Sequence, residues 1–441
     1  MRHQAERLAS LGRAFGPPPK TQASVMEYRD RQLRRLITHA YEQVPFYQQL
    51  FAKHGLKPRH IRTAADLSRI PITTREDLQN ARPDQLIARG VSAGSLIVRQ
   101  TSGSSGKPLS VRRTWLEERI HNALAARTLR SYGLRITGRH CYVMSPRGFR
   151  DNRLLQRAAE LLGLWRHHDV VNCFQSPEEM LRNLLELRPD AISGFPVVLA
   201  RLSQAVSQEA LRSLKVRFLT TGGEVMTPLM RRQISEGFGA PVHDVYGSQE
   251  FHLLAWECPQ GGDFHVADDG LVLEVVRGDA AVEEGETGEV VGTNLHSFAM
   301  PIIRYQLGDV VTRGTEPCPC GQPFSTIRAI RGRMRDYFLL PGDRVVHPYQ
   351  LAFAVGAEQE IAPWIREFQM VQERQDLVVM RVIPFFPPSP DILAGLQRRT
   401  RDVLGDGVTF EVSLVSQLEL DPSGKFRVYR SLVESPYDGA S

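Results

Sequence analysis

Cysteine is scarce in this chain of 441 residues, with five in all. An odd and sparse set of thiols argues against a disulfide-stapled scaffold and predicts a reducing compartment, which we expect to be the cytoplasm. No apolar run reaches the roughly 18 residues that a membrane-spanning helix needs. The N-terminus also lacks the uninterrupted apolar segment of a signal peptide, so we expect neither export nor a membrane partner.

The chain also lacks a large excess of either positive or negative charge. The 55 lysines and arginines and the 49 aspartates and glutamates give a formal net charge of +6, and the basic residues are dispersed. A nucleic-acid partner normally requires a basic patch or tail, so none is expected. The 42% hydrophobic and 24% charged residues are typical of a globular protein. At about 150 residues per domain, the length predicts two or three domains.

The pattern of apolar residues changes along the chain. Residues 28–52 carry apolar side chains three and four apart, which predicts a helix that Pro45 interrupts. Those side chains could serve either a homodimer contact or packing within their own domain. From about 90 to 330, strand-like runs alternate with amphipathic helices, which predicts an α/β fold with parallel sheets. Within that stretch, consecutive strand-like runs over 270–313 predict an antiparallel or barrel-like subdomain.

After Gly332 the pattern becomes that of a small α+β unit of about 100 residues, a usual size for a domain. We therefore predict a large N-terminal domain over 1–334 and a small C-terminal domain over 335–441.

One loop combines glycines, hydroxyls and a cation. Its members are Thr101, Ser102, Gly103, Ser104, Ser105, Gly106 and Lys107. Backbone N–H groups and hydroxyls in such a loop can wrap a polyphosphate. It is not a Walker A loop, because only two residues separate its glycines and Pro108 follows the lysine. A flexible connector is the alternative for a loop of this composition taken alone.

Five further polar segments follow in order, three of them at the ends of strand-like runs. They are 220–224 (TTGGE), 246–250 (YGSQE), 305–309 (YQLGD), 332–336 (GRMRD) and 423–427 (SGKFR). In this order and at these separations, the six segments together resemble the acyl-adenylate-forming superfamily. The N-terminal run YEQVPFYQQLFAKHGLKP narrows the resemblance to the phenylacetate–CoA ligase family, of which this chain looks like a divergent member.

The resemblance implies an ATP-dependent ligase. ATP and a carboxylic acid would give an acyl-AMP and pyrophosphate, and the thiol of CoA would then take the acyl group. It also implies a large adenylate-forming domain followed by a small mobile domain. Two alternatives stay open at this point, namely transfer of the acyl group to an amine or hydroxyl acceptor, and a non-catalytic scaffold that binds nucleotide.

The resemblance also implies roles for individual residues. The 101–107 loop would hold the β- and γ-phosphates, Glu250 would bind Mg²⁺, and Lys425 would bridge the substrate carboxylate and the α-phosphate. The adenosine would contact Gly222, Gly223, Glu224, Tyr246, Gly247, Ser248, Asp309 and Arg333. Tyr246 would stack on adenine opposite the 222–224 backbone, and Asp309 would accept from the ribose hydroxyls. The family usually has an acidic residue where this chain has Arg335, at the pivot of the small domain.

A second set of residues is separate from these motifs. Cys258 and His265 lie in one Gly/Pro-rich loop, and Cys318 and Cys320 lie in another. Three thiols and one imidazole are a complete ligand set for a structural Zn²⁺ site. The alternative is four unrelated loop residues, and the single residue between Cys318 and Cys320 is fewer than the usual two. We predict zinc, with no open position for catalysis.

Overall fold

A computed structural model describes most of the chain. The described residues are 12–14, 16, 19–100, 109–135, 137–144, 168–224, 226–315, 317–333, 338–342, 344–346, 351, 364–418 and 426–433. The chain divides into two compact units, each made of two segments. The first unit comprises Met1–Gly133 and Val245–Arg331, and the second comprises Leu134–Asp244 and Gly332–Ser441. The predicted boundary at 334/335 lies outside the described residues and stays a prediction.

Helices and strands alternate through the first half of the chain, and strands dominate the second. The α-helices are α1 (Gln22–Gln43), α2 (Pro45–Lys53), α3 (Arg75–Asn80), α4 (Pro83–Leu86), α5 (Trp115–Ser131), α6 (Pro177–Leu187), α7 (Pro196–Ala205), α8 (Gln208–Ser213), α9 (Pro228–Phe238) and α10 (Pro390–Leu404). The first strands are β1 (Ile97–Gln100), β2 (Ser110–Arg113), β3 (His140–Met144), β4 (His168–Asn172), β5 (Ala191–Gly194), β6 (Phe218–Gly222), β7 (Val242–Ser248), β8 (His252–Glu257), β9 (Phe264–Val266) and β10 (Leu271–Arg277). The remaining strands are β11 (Ala280–Ala281), β12 (Thr287–Asn294), β13 (Tyr305–Arg313), β14 (Thr326–Arg333), β15 (Phe338–Leu340), β16 (Arg344–Val346), β17 (Ile365–Arg374), β18 (Leu377–Pro384), β19 (Thr409–Leu414) and β20 (Tyr429–Ser431).

The first unit is built on an antiparallel sheet. Its strands follow the order β11-β10-β12-β13-β14-β9-β8-β7, and β1 and β2 form a separate hairpin. Of the two alternatives for 270–313, antiparallel pairing is confirmed and the barrel-like form is corrected, because the described strands of this region form an open sheet that ends at β11. That strand has only two residues, and both are exposed.

Helices α1 and α2 cover apolar side chains of the first unit. Leu33, Leu36, Ile37, Ala40 and Val44 are buried together with residues of β10 and of the 295–303 segment. The predicted helical stripe is therefore confirmed, and Pro45 starts a second helix because its fixed φ suits a first helical position. Because this stripe is buried within its own unit, it is not an exposed dimer face.

The second unit contains the parallel strands that the alternating pattern predicts. Strands β4, β3, β5 and β6 pair in that order, all parallel, and the described helices α6, α7 and α9 connect or follow them. A four-stranded sheet has the order β19-β18-β17-β20, and α10 connects β18 to β19. Leu199 of α7 and Met370 of β17 belong to one buried apolar cluster. The predicted α/β class is confirmed.

Candidate functional site

Part of the predicted site lies outside the described residues. This applies to Lys425 and to every member of the phosphate loop, namely Thr101, Ser102, Gly103, Ser104, Ser105, Gly106 and Lys107. Arg333 is the last residue of β14, and its side chain is likewise not described. The strands that flank the loop and Phe426, which follows Lys425, are described.

Tyr246 and Asp309 lie together in the first unit. Tyr246 stands near the end of β7, and its hydroxyl donates a hydrogen bond of 2.5 Å to Oδ2 of Asp309 in β13. Both side chains are buried. The structure therefore joins the residue expected to stack on adenine to the residue expected to accept from the ribose.

Glu250 lies in the turn between β7 and β8 and is buried. Its Oε1 accepts a hydrogen bond of 3.4 Å from the hydroxyl of Tyr305, in the same strand as Asp309. This carboxylate is a hard oxygen donor of the kind that Mg²⁺ prefers, so the residue fits a magnesium ion chemically.

The turn that carries Glu250 depends on its neighbours. A Cβ at Gly247 would collide with the backbone oxygen of His252, so only glycine fits where β7 and β8 change register. The hydroxyl of Ser248 accepts the backbone N–H of Phe251 at 3.2 Å. In the described structure, the contacts of Gly247 and Ser248 therefore shape the turn.

The 222–224 segment lies in the second unit, at the end of β6. Gly223 has a φ of +81°, a conformation that favours glycine. One oxygen of the Glu224 carboxylate accepts the backbone N–H of Phe426, and the other accepts that of Val197 at 3.4 Å. Glu224 therefore connects the start of α7 to the residue next to Lys425, a contact that the sequence did not predict.

The four predicted zinc ligands come together in the first unit. The ligand atoms of Cys258, His265, Cys318 and Cys320 all lie within 4.8 Å of one another. The Cys258 and Cys318 sulfurs are 3.9 Å apart, and Cys320 Sγ lies 3.2 Å from His265 Nε2. Two sulfurs bound tetrahedrally at about 2.3 Å from zinc would be about 3.8 Å apart, so the donor set fits this ion.

The local backbone explains how Cys258 reaches the other three residues. Cys258 directly follows β8, and its backbone N–H donates to the carbonyl of Asp263. Gly261 and Gly262, which lie between them, have positive φ. Burial lowers the pKa of His265 to about 4, which leaves the imidazole neutral, the form that ligates metals. Burial also raises the pKa of Cys258 to about 12. Without a cation the Cys258 thiol therefore holds its proton.

Three residues that sequence reasoning missed also contact Glu250. Arg113 and Asn294 donate to its backbone carbonyl, and Tyr305 donates to its carboxylate. Tyr305 begins the YQLGD segment and could have been found there. The other two sit among strand residues with no motif around them.

None of the described helices is long and apolar enough to cross a bilayer.

Comparison with known proteins identifies the family. No family model matches the chain. The chain is 30% identical over 358 residues to a phenylacetate–coenzyme A ligase of Thermus thermophilus, covering 79% of this chain and 78% of that protein. It is 28% identical over 367 residues to a phenylacetate–coenzyme A ligase of Pseudomonas putida, covering 78% of each.

Among solved structures, a 2-hydroxyisobutyryl-CoA ligase in its postadenylation state has the same fold. The match has a TM-score of 0.75 at 21% identity and covers 96% of this chain and 95% of that one. The predicted resemblance is confirmed, and the chain belongs to the phenylacetate–CoA ligase family of AMP-forming acid–CoA ligases.

Proposed function

We propose that this chain activates an aryl or related carboxylic acid with ATP and passes the acyl group to CoA. The observation that carries the proposal is the buried arrangement of Tyr246, Asp309 and Glu250 in the first unit, where Tyr305 joins Glu250 to the strand of Asp309. One carboxylate can accept from the ribose hydroxyls of ATP, and another can bind the divalent cation that accompanies its phosphates. The family relationship supports this reading.

The reaction has two halves. In the first, a carboxylate oxygen of the acid attacks the α-phosphorus of ATP, and the bond to pyrophosphate breaks. In the second, the CoA thiolate attacks the acyl carbon, and AMP leaves. Because two anions meet in the first half, cations and N–H donors must offset their charge. We assign this task to Lys425 and the 101–107 loop, and Arg333 would lie beside the ribose or phosphates.

Glu250 would hold Mg²⁺, which when bound draws negative charge away from the phosphate oxygens. Tyr246 would stack on adenine, and Asp309 would accept from the ribose hydroxyls.

The contact between Glu224 and Phe426 supports the assignment of Lys425. The Glu224 carboxylate holds the backbone N–H of the residue that follows Lys425 in the sequence, so Glu224 would help to present the lysine. We further propose that residues 335–441 act as a small mobile domain that pivots at Arg335 between the two half-reactions.

We also propose that Cys258, His265, Cys318 and Cys320 bind one structural Zn²⁺ ion. All four positions of the tetrahedron would be filled by protein, so the ion would not take part in the reaction. The five cysteines are all free thiols, which agrees with a reducing compartment, and we place the enzyme in the cytoplasm.

The experiment that tests the function is ATP–pyrophosphate exchange measured over a panel of aryl and short-chain carboxylic acids. Exchange that depends on one class of acid is the expected result, and it needs no knowledge of the acceptor. Adding CoA should then release a thioester that mass spectrometry detects. Exchange without any thioester would point to an amine or hydroxyl acceptor, and no exchange with any acid would reject the adenylation.

A further inference from the structure

The stem of the phosphate loop brings two arginines to one face. Strands β1 and β2 pair antiparallel, with Ile97 opposite Arg113 and Arg99 opposite Val111. Opposed residues project from the same face of a sheet, and so do alternate residues along a strand. Arg99 and Arg113 therefore share a face, on either side of the 101–107 loop in sequence.

Glu118, near the start of α5, joins the two arginines. Its Oε1 accepts from Arg99 at 2.5 Å, and its Oε2 accepts from Arg113 at 3.4 Å. The side chains of Glu118 and Arg113 are each 1% exposed. Burial acts to raise the pKa of Glu118, but the two guanidinium groups outweigh it and hold that pKa below its ordinary value. Glu118 and Arg113 form a buried ion pair, and the partly exposed Arg99 extends it.

The second terminal nitrogen of Arg113 reaches the turn that carries Glu250. It donates to the backbone carbonyls of Gln249 at 2.7 Å and Glu250 at 2.8 Å. Asn294 donates to the same carbonyl of Glu250 at 3.0 Å. Three hydrogen bonds from buried donors thus fix the backbone on which the candidate magnesium ligand sits.

We propose that Arg113 is a positioning residue for Glu250, held in place by Glu118 and, through it, by Arg99. The inference rests on the proposed role of Glu250 as the magnesium ligand. The planar guanidinium can bind a carboxylate on one side and two carbonyl oxygens on the other. The ammonium of lysine is a single point charge and cannot reproduce that fork. The same group also ties the stem of the phosphate loop to the turn of the metal ligand.

The test is the Mg²⁺ dependence of ATP–pyrophosphate exchange in the full-length Arg113→Lys variant. Removing a partner that orients a metal ligand typically weakens metal affinity by about 10- to 100-fold, so half-maximal exchange should need at least about tenfold more Mg²⁺. The matched control is Arg127→Lys. Arg127 forms a buried ion pair of 2.7 Å with Asp269 in the same unit, and its guanidinium binds that carboxylate rather than the 249–250 turn. Its Mg²⁺ dependence should be that of wild type.

A double variant separates positioning from a general loss of stability. In a Glu250→Gln background, Arg113→Lys should shift the Mg²⁺ requirement little further, because both changes act on one ligand. If Arg113→Lys keeps the wild-type Mg²⁺ dependence while Glu250→Gln raises the Mg²⁺ requirement, the positioning role of Arg113 is overturned and the magnesium assignment of Glu250 stands. An unshifted Glu250→Gln would instead reject the magnesium assignment. If Arg113→Lys does not fold, Glu118→Gln replaces it, and wild-type Mg²⁺ dependence there overturns the inference.

Discussion

The hydroxyl of Tyr246 and the carboxylate of Asp309 form one hydrogen bond between β7 and β13, and both groups are shielded from solvent. Two polar segments that are about sixty residues apart in the sequence therefore act on one another directly. Any substitution of one residue leaves the other with a changed partner, and the two must be tested as a pair.

Removing the Tyr246 hydroxyl should weaken ATP binding less than removing the Asp309 carboxylate. Tyr246→Phe keeps the ring and loses one hydrogen bond, about 1 kcal/mol, so the KM for ATP should rise about fivefold. Asp309→Ala loses the acceptor for the ribose hydroxyls, and its KM should rise about fiftyfold, because hydrogen bonds to charged groups are worth more.

Tyr47→Phe is the matched control for this pair. The Tyr47 hydroxyl is also buried in the first unit, where it donates to the backbone carbonyl of Pro301 and accepts the backbone N–H of Ile303. Its KM for ATP should stay at the wild-type value. A wild-type KM in Asp309→Ala would show that this carboxylate does not bind the ribose.

Lys425→Ala should abolish acid-dependent pyrophosphate exchange and leave ATP binding nearly intact. The missing cation acts mainly on the transition state, so the loss should reach about a thousandfold, or roughly 4 kcal/mol. Exchange kinetics with a separate ATP-binding titration measure both quantities. Exchange at the wild-type rate would remove Lys425 from the mechanism.

Glu224→Gln should slow adenylation more than thioester formation. The neutral amide is a weaker acceptor for the N–H groups of Phe426 and Val197, so the chain beside Lys425 should be held less firmly. We expect about a tenfold loss of pyrophosphate exchange, with conversion of added acyl-AMP to acyl-CoA near wild type.

Glu179→Gln serves as the control for Glu224→Gln. Glu179 is another carboxylate of the second unit that accepts a backbone N–H, at the start of α6. It should leave both half-reactions unchanged. Equal losses in the two half-reactions of Glu224→Gln would contradict a link to Lys425.

Arg335→Pro should separate the two half-reactions. Proline fixes φ and removes a backbone N–H, which should hold residues 335–441 in one orientation. One half-reaction should then proceed and the other should fall, as single-turnover assays with acid and ATP, or with acyl-AMP and CoA, would show. Equal losses with an intact fold would count against a rotating C-terminal domain.

The purified untagged protein should contain about one zinc per chain. Cys320→Ser should lower both the zinc content and the melting temperature, because a bound ion stabilises the structure that assembles its ligands. Cys173→Ser is the control, since that thiol is buried in the apolar core of the second unit, and it should keep its zinc. Zinc-free protein from zinc-replete cultures would end the assignment.

The sequence predicted those parts of the site whose chemistry is carried by side chains with few common uses. Three thiols and an imidazole in two Gly/Pro-rich loops have one typical joint role, and the structure does bring them together. The helical stripe before Pro45 and the parallel strands from β3 to β6 likewise followed from periodicity.

Other features depend on long-range contacts that local patterns do not encode. Arg113 acts through backbone carbonyls, which every residue has, so no side-chain pattern marks its target. Glu224 meets a residue 202 positions away in the sequence. The sequence also left the choice between an open antiparallel sheet and a barrel undecided, because closure depends on the tilt and stagger of strands that are distant in the sequence.

The proximity of Cys258 and Cys318 has a consequence for the unfolded chain. These residues are 60 positions apart, so a zinc ion that stayed bound to both after unfolding would restrict the denatured ensemble much as a covalent cross-link does. For a closed loop of this length, the lost chain entropy of the denatured state would stabilise the folded protein by about 4 kcal/mol. An ion held only by the native fold stabilises by mass action instead, so the transition temperature should follow the concentration of free zinc.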